Sequence, residues 1–203
     1  MVPAVTIPSP PNDGQRWATG EPARVLAAMG EKQRTQMLDV RRRIDDWEAG
    51  LNEAEREQRL RNWRDAKPSV FILTTRFSTY VQHAAEDLGE SLQRMGCNAH
   101  VLKEPDDHSI LASVGVLSAI DACRPDLILL INTVRSQLEA SLPRGVPVVT
   151  WVQDAMPHLF DERTGRAMTD RDFLVGHLHP ELFAQFAFPR RRTRSTPVLA
   201  SEV

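Results

Sequence analysis

Cysteine is nearly absent. Cys97 and Cys123 are the only two in 203 residues, and their separation fits neither a disulfide framework nor a thiolate metal site, so the expected setting is a reducing compartment, the cytoplasm. Both read as small buried hydrophobes rather than nucleophiles. Long apolar runs are missing too. The longest, residues 127–131, falls far short of the roughly 20 residues that span a bilayer, so no transmembrane segment is expected. The start, Met1-Val2-Pro3, lacks the basic and apolar regions of a secretory signal. Charge of one sign is lacking: 25 basic against 27 acidic residues give a net charge of −2, which gives no electrostatic case for nucleic acid. Lysine is scarce beside arginine, a bias of composition before it is one of binding.

Several motifs are absent where their chemistry would need them. No G-x-G-x-x-G follows the first strand candidate, no G-x-x-x-x-G-K-[ST] occurs, and there is no G-x-S-x-G nucleophile elbow. The third strand candidate ends in Asn132, where a phosphoacceptor receiver domain needs an acidic residue. No resident cofactor is expected.

The composition that is present is ordinary and globular, 41% hydrophobic and 26% charged. Residues 1–22 carry Pro3, Pro8, Pro10, Pro11, Gly14, Gly20 and Pro22 and read as an irregular lead. Residues 23–67 form a charged helical extension. Within it Met37, Val40, Ile44, Trp47 and Leu51 repeat at intervals of three and four, an amphipathic stripe. Gly50 breaks the helix, and Asn52 with Glu55 offers a cap for a second one. The hairpin so formed packs its stripe on its own domain or on a sister chain, which makes residues 31–67 a candidate homodimer surface.

Pro68 closes the helical region, and strands then alternate with helices. Strands are expected at 70–73, 99–102, 127–131, 146–152 and 172–178, with a last extended piece at 197–201. Helices are expected at 79–95, opened by a capping box at Thr79 and closed by Gly96, from Ser109 to before Pro125, at 136–141, and at 180–186. Strands rich in aliphatics on both faces, alternating with helices, predict an α/β domain over 68–203: a Rossmann-like, doubly wound, mostly parallel sheet preceded by the N-terminal helical hairpin.

In such sheets ligands bind beyond the carboxyl ends of the strands. The residues selected by that rule are Arg76, Ser78 and Thr79 after the first strand, Asn132 and Arg135 after the third, and Gln153, Asp154 and His158 after the fourth. A helix N-terminus at Ser78 and Thr79 supplies unpaired N–H groups. Arg76 and Arg135 offer planar forks for an anion, or pair internally. Asp154 follows an apolar strand and serves as a general base, or else caps its loop or pairs with Arg76 or Arg135. His177 and His179 share one face if extended, but no carboxylate or thiol stands at ligand spacing, and no metal is expected. The run Arg190-Arg191-Arg192-Thr193-Arg194 lacks interleaved aromatics and reads as a solvated loop.

Two stretches carry a resemblance: Arg124-Pro125-Asp126-Leu127 through Asn132, and Pro147-Val148-Val149-Thr150-Trp151-Val152-Gln153-Asp154. A "PDL" strand followed by a "P-x-x-x-W-x-Q-D" strand is similar to the N-terminal half of glycosyltransferases of the two-Rossmann-domain (GT-B) architecture, and most of all to the spore-maturation-protein-like (CgeB-like) bacterial group. Leu73-Thr74-Thr75-Arg76-Phe77-Ser78-Thr79 is similar to that group's first strand and turn. The resemblance covers residues 68–188. It implies an acceptor-side domain of a sugar transferase, with Arg76, Asn132, Arg135, Gln153 and Asp154 lining a cleft between domains and Asp154 taking the acceptor's proton. The acceptor implied is a sugar or another polyhydroxylated or anionic molecule. Because 203 residues leave no room for a second such domain, the expectation is a truncated form, inactive alone or dependent on a partner for the nucleotide-sugar site. The competing expectation is a stand-alone α/β sensing or scaffolding module that dimerises through its helices.

Overall fold

A computed structural model describes residues 21–75, 78–106, 108–109, 111–154, 156–176 and 180–196. Thirteen elements are the ones that matter: α1 (Glu21–Ala49), α2 (Glu53–Arg61), α3 (Trp63–Ala66), β1 (Ser69–Leu73), α4 (Thr79–Arg94), β2 (Asn98–Leu102), α5 (Ser113–Cys123), β3 (Leu127–Ile131), β4 (Val148–Val152), α6 (Glu162–Arg166), β5 (Asp172–Gly176), α7 (Pro180–Gln185) and β6 (Thr193–Ser195). The six strands form one sheet in the order β2-β1-β3-β4-β5-β6, and every neighbouring pair is parallel. The expected α/β, Rossmann-like architecture is therefore present. Its strand order is the flavodoxin-like one among doubly wound sheets, with the reversal of winding between β1 and β3.

Strand alternation sorts the core into two layers. Val70 and Ile72 of β1, with Leu129 and Ile131 of β3, meet Val81 and Ala85 of α4 on one face. Phe71, Ile128, Leu130 and Val148 meet Val116, Leu117 and Ile120 of α5 on the other. Val40 and Ile44 of α1 are buried in that same second cluster, with Met37 and Trp47 packed against it. The stripe read from the sequence thus lies on α5 and the sheet, within its own chain. A boundary at residue 67 does not separate the cores, because burying Val40 and Ile44 contributes about 1.5–3 kcal/mol each to the α/β layer itself. The first half of α1 runs on past this contact, with Val25 51%, Leu26 69% and Met29 56% exposed.

The caps follow the sequence closely. The Asn52 side chain accepts from the backbone N–H groups of Ala54 and Glu55 and starts α2. Ser78, one residue before the expected Thr79, caps α4 by accepting from Val81 N–H at 3.4 Å. After α4 the chain turns through Gly96 at φ +95, a conformation that glycine adopts without a Cβ clash. The fifth helix starts at Ser113 rather than Ser109, and residues 135–141 form two single 3-10 turns in place of a helix. An edge strand, β6, arises directly from the arginine run: Arg190–Arg192 make a 3-10 turn and Arg194 pairs with Val175. The extended piece expected at 197–201 lies outside the described residues. No described helix is long and apolar enough to cross a membrane.

Candidate functional site at the carboxyl rim of the sheet

The carboxyl ends of β1, β3 and β4 sit side by side at the reversal of winding, spanning about 10 Å at the ordinary strand spacing. Thr74 leaves β1 with its N–H bonded to Leu102 O at 3.0 Å and its hydroxyl bonded to Val81 O at 3.4 Å. These two bonds fix the start of the loop against β2 and α4. Thr75 Oγ1 donates to the buried Glu104 at 3.3 Å. The N-terminus of α4, with Ser78, Thr79 and the exposed Tyr80, opens onto this end of the sheet. Arg76, proposed as an anion ligand from the sequence, lies outside the described residues, as do His177 and His179.

Asn132 is the pivot of the rim. It stands directly after β3 at φ +52, a left-handed conformation that asparagine tolerates better than most residues. Its N–H donates to Trp151 O at 3.0 Å. Its side-chain oxygen accepts from Gln153 N–H at 2.7 Å and Asp154 N–H at 3.1 Å. Its amide nitrogen donates to Asp154 Oδ2 at 2.9 Å. Its carbonyl accepts from His158 Nε2–H at 2.7 Å. Asn132 is buried and engaged at every polar group, so it is a positioning residue and not the ligand-binding one the sequence suggested.

The residues held by that pivot keep free atoms. Asp154 is exposed and binds protein through Oδ2 only, leaving Oδ1 without a partner among the described residues. A carbonyl only accepts, so the proton of a neutral His158 sits on Nε2, and Nδ1 keeps its lone pair for another group. Gln153 is the unusual member: both atoms of its carboxamide, Oε1 and Nε2, are buried without a hydrogen-bond partner. Each such unmade bond costs about 1–3 kcal/mol. By strand alternation Gln153 follows Val149 and Trp151 toward the α4 face, the layer those two pack against.

Arg135 is a correction. Its guanidinium does not face the rim. It lies buried on the α5 side of the sheet, where Nε donates to Asp172 Oδ1 at 2.6 Å, Nη2 donates to Val146 O at 2.6 Å, and Nη1 donates to Pro143 O. The loop after β3 turns down over that face at once, so the long side chain reaches the start of β5 and crosslinks the approaches to β4 and β5. Asp154 accordingly pairs with Asn132 rather than with Arg135.

No three or more metal-binding side chains gather among the described residues. The thiols are poor nucleophiles, since burial pushes Cys97 up and Cys123 up to about 11. Sequence reasoning missed Tyr80, the single tyrosine of the chain. Its signal was an aromatic in the first turn of the helix that follows β1. Compared with known proteins, the chain matches no family model, no curated protein and no solved structure.

Proposed function

We propose that this chain is the acceptor-side half of a sugar transferase, with the carboxyl rim of its sheet holding the acceptor. The observation that carries the reading is the carboxylate of exposed Asp154, whose Oδ2 accepts from Asn132 Nδ2 while Oδ1 has no partner among the described residues. The backbone N–H groups of Gln153 and Asp154 both donate to Asn132 Oδ1, which fixes the loop that carries this carboxylate. The similarity of Trp151-Val152-Gln153-Asp154 to the transferase motif supports the same assignment. In the reaction, the acceptor oxygen attacks the anomeric carbon of the sugar donor. The bond from that carbon to the phosphate oxygen breaks, and the nucleoside diphosphate leaves with the electron pair. Asp154 Oδ1 receives the hydroxyl proton, the task of a general base within hydrogen-bond reach. The donor is held by a second α/β domain contributed from elsewhere.

Titration of the full chain with a nucleotide-sugar such as UDP-glucose, followed by amide NMR shifts, tests this division of labour. The expected result is no saturable binding, with free sugars instead moving the signals of Asp154 and His158. Stable binding of the nucleotide-sugar by this chain contradicts the reading.

A second reading rests on the projecting half of α1, where Val25, Leu26 and Met29 are exposed on one stretch of helix. On it, the chain is a small-molecule-sensing α/β module that pairs with a second copy through this segment. Light scattering decides it: a monomer at high concentration removes the dimer role.

A further inference from the structure

We infer that two copies of the chain pair about a two-fold axis, the projecting half of α1 in each lying across the β4–β5 end of the other's sheet. Such a pair forms whatever the rim binds, and it gives α1 a seat that neither reading above names.

An all-parallel sheet is ordinarily covered by helices on both faces. Here the face that carries α4 is covered at one end. Two rows of apolar side chains cross it in register, Leu129–Val149–Phe173 and Ile131–Trp151–Val175. Leu129 and Ile131, in the cluster with Val81 and Ala85 of α4, are buried. Val149, Trp151 and Val175 are half-buried, and Phe173 is 39% exposed. Exposure thus rises strand by strand away from α4. The chain after β5 gives its aromatics to the opposite face, where Phe183 of α7 and Phe188 join Val152 and Leu174. Helices pack about 8–10 Å apart, the width of two strands, so the bare end has room for one more helix beside α4.

The first half of α1 has the converse need. Every residue from 24 to 36 is exposed, and Val25, Leu26 and Met29 gather on one side of the helix, Met29 lying one turn on from the other two. A helical stretch of this length is marginal in water without a packed face. Its length of about 20 Å suits strands of about 16 Å, which is what the five residues of β4 and of β5 supply. The helix cannot reach the bare face of its own sheet. It is continuous from Glu21 to Ala49, and Val40 and Ile44 are buried with α5 on the opposite face. The helix of a second copy can. A two-fold axis seats both helices on both faces at once and leaves neither apolar surface over.

Light scattering of the full chain over an about hundredfold range of concentration tests the pair. A dimer in reversible equilibrium with monomer is expected. Leu26→Glu and Phe173→Lys should each raise its dissociation constant by about tenfold or more, since each sets a charge into an apolar contact. Both side chains are exposed in the single chain, so thermal melts of the dilute variants should match the parent. Mixing the two variants separates the inferred seat from helix-on-helix pairing. In the mixed pair one contact is intact and the other sets the introduced carboxylate against the introduced ammonium, so a dimer should return at a concentration where each variant alone is monomeric. A dimer that Phe173→Lys leaves unchanged overturns the seat on the sheet and shows α1 pairing with α1. A monomer throughout overturns the pair and leaves the bare face to a different chain, such as one that brings the donor site. Neither outcome touches the acceptor-site reading, which the sugar titration of the rim decides separately.

Discussion

The two ends of the sheet treat their polar groups in opposite ways. At the amino end, Asp126 accepts from Ser69 N–H at 2.9 Å and from Arg59, Glu48 accepts from the N–H groups of Arg144 and Gly145, and Arg171 meets Glu53 at 2.7 Å. Asp172, where β5 begins, takes Arg135 on one oxygen and both Thr169 N–H and Thr169 Oγ1 on the other. At the carboxyl end one residue, Asn132, is fully engaged, and the three it holds are not. Groups that close on one another stabilise a fold, whereas groups held rigid with atoms left over are available to a ligand. Arg56 is the exception at the amino end. It is 4% exposed, and its Nη1 is buried without a partner. Burial pushes its pKa down, and Arg171 adds to this, while the nearby carboxylates Glu53, Asp126 and Glu48 oppose it.

The sharpest way to break this comparison is Arg135→Met. It strands the buried carboxylate of Asp172, and urea denaturation should show a loss of about 3–5 kcal/mol. Adding Asp172→Asn should restore part of it, and full additivity of the two would mean that the pair is not coupled. Next comes Asn132→Ala, expected to cost about 3 kcal/mol, of which about 1 is the left-handed backbone and the remainder the lost side-chain bonds. Asn132→Gly keeps the backbone relaxed and should cost about 2 kcal/mol. Equal costs would show that φ +52 carries no strain.

Gln153→Leu should move the other way and stabilise the chain by about 1 kcal/mol, because it removes a buried carboxamide that has no partner. A loss of stability there would mean that Gln153 is a structural group after all. Arg56→Met, at the opposite end, should change stability by about 1 kcal/mol or less despite its burial, since the Arg56 side chain makes no hydrogen bond among the described residues that Met would forfeit. A cost near that of Arg135→Met would erase the distinction between the two buried arginines. The smallest effects belong to Asp154→Asn and His158→Gln, each within about 0.5 kcal/mol in thermal melts, as befits side chains that the fold positions without relying on them.

Much of this was legible along the chain, for local reasons. Asn52, Ser78 and Gly96 act through neighbours a few residues away, so caps and helix ends could be read nearly to the residue. Aliphatic runs located β1, β3 and β4 because a strand covered on both faces admits little else. The three-residue β6 and the five-residue α6 escaped, since such short elements carry no period to detect. Arg135 was misplaced for a different reason. A residue just past a strand is placed by its backbone, but an arginine is long enough to act elsewhere, and its partners are the distant Asp172, Pro143 and Val146.

The role of Asn132 depended on its being both an asparagine and a left-handed residue, and only the first is written in the sequence. The stripe on α1 was visible as a stripe, whereas its partner α5, some eighty residues further on, was not. The sequence by itself determined the element types, the two-faced strands and the rim on which polar residues gather, because these follow from periodicity and local hydrogen bonding. Which of those residues face a ligand and which close on one another was decided by the tertiary structure alone, because a hydrogen bond between β3, β4 and β5 exists only once parallel strands distant in sequence are brought about 5 Å apart.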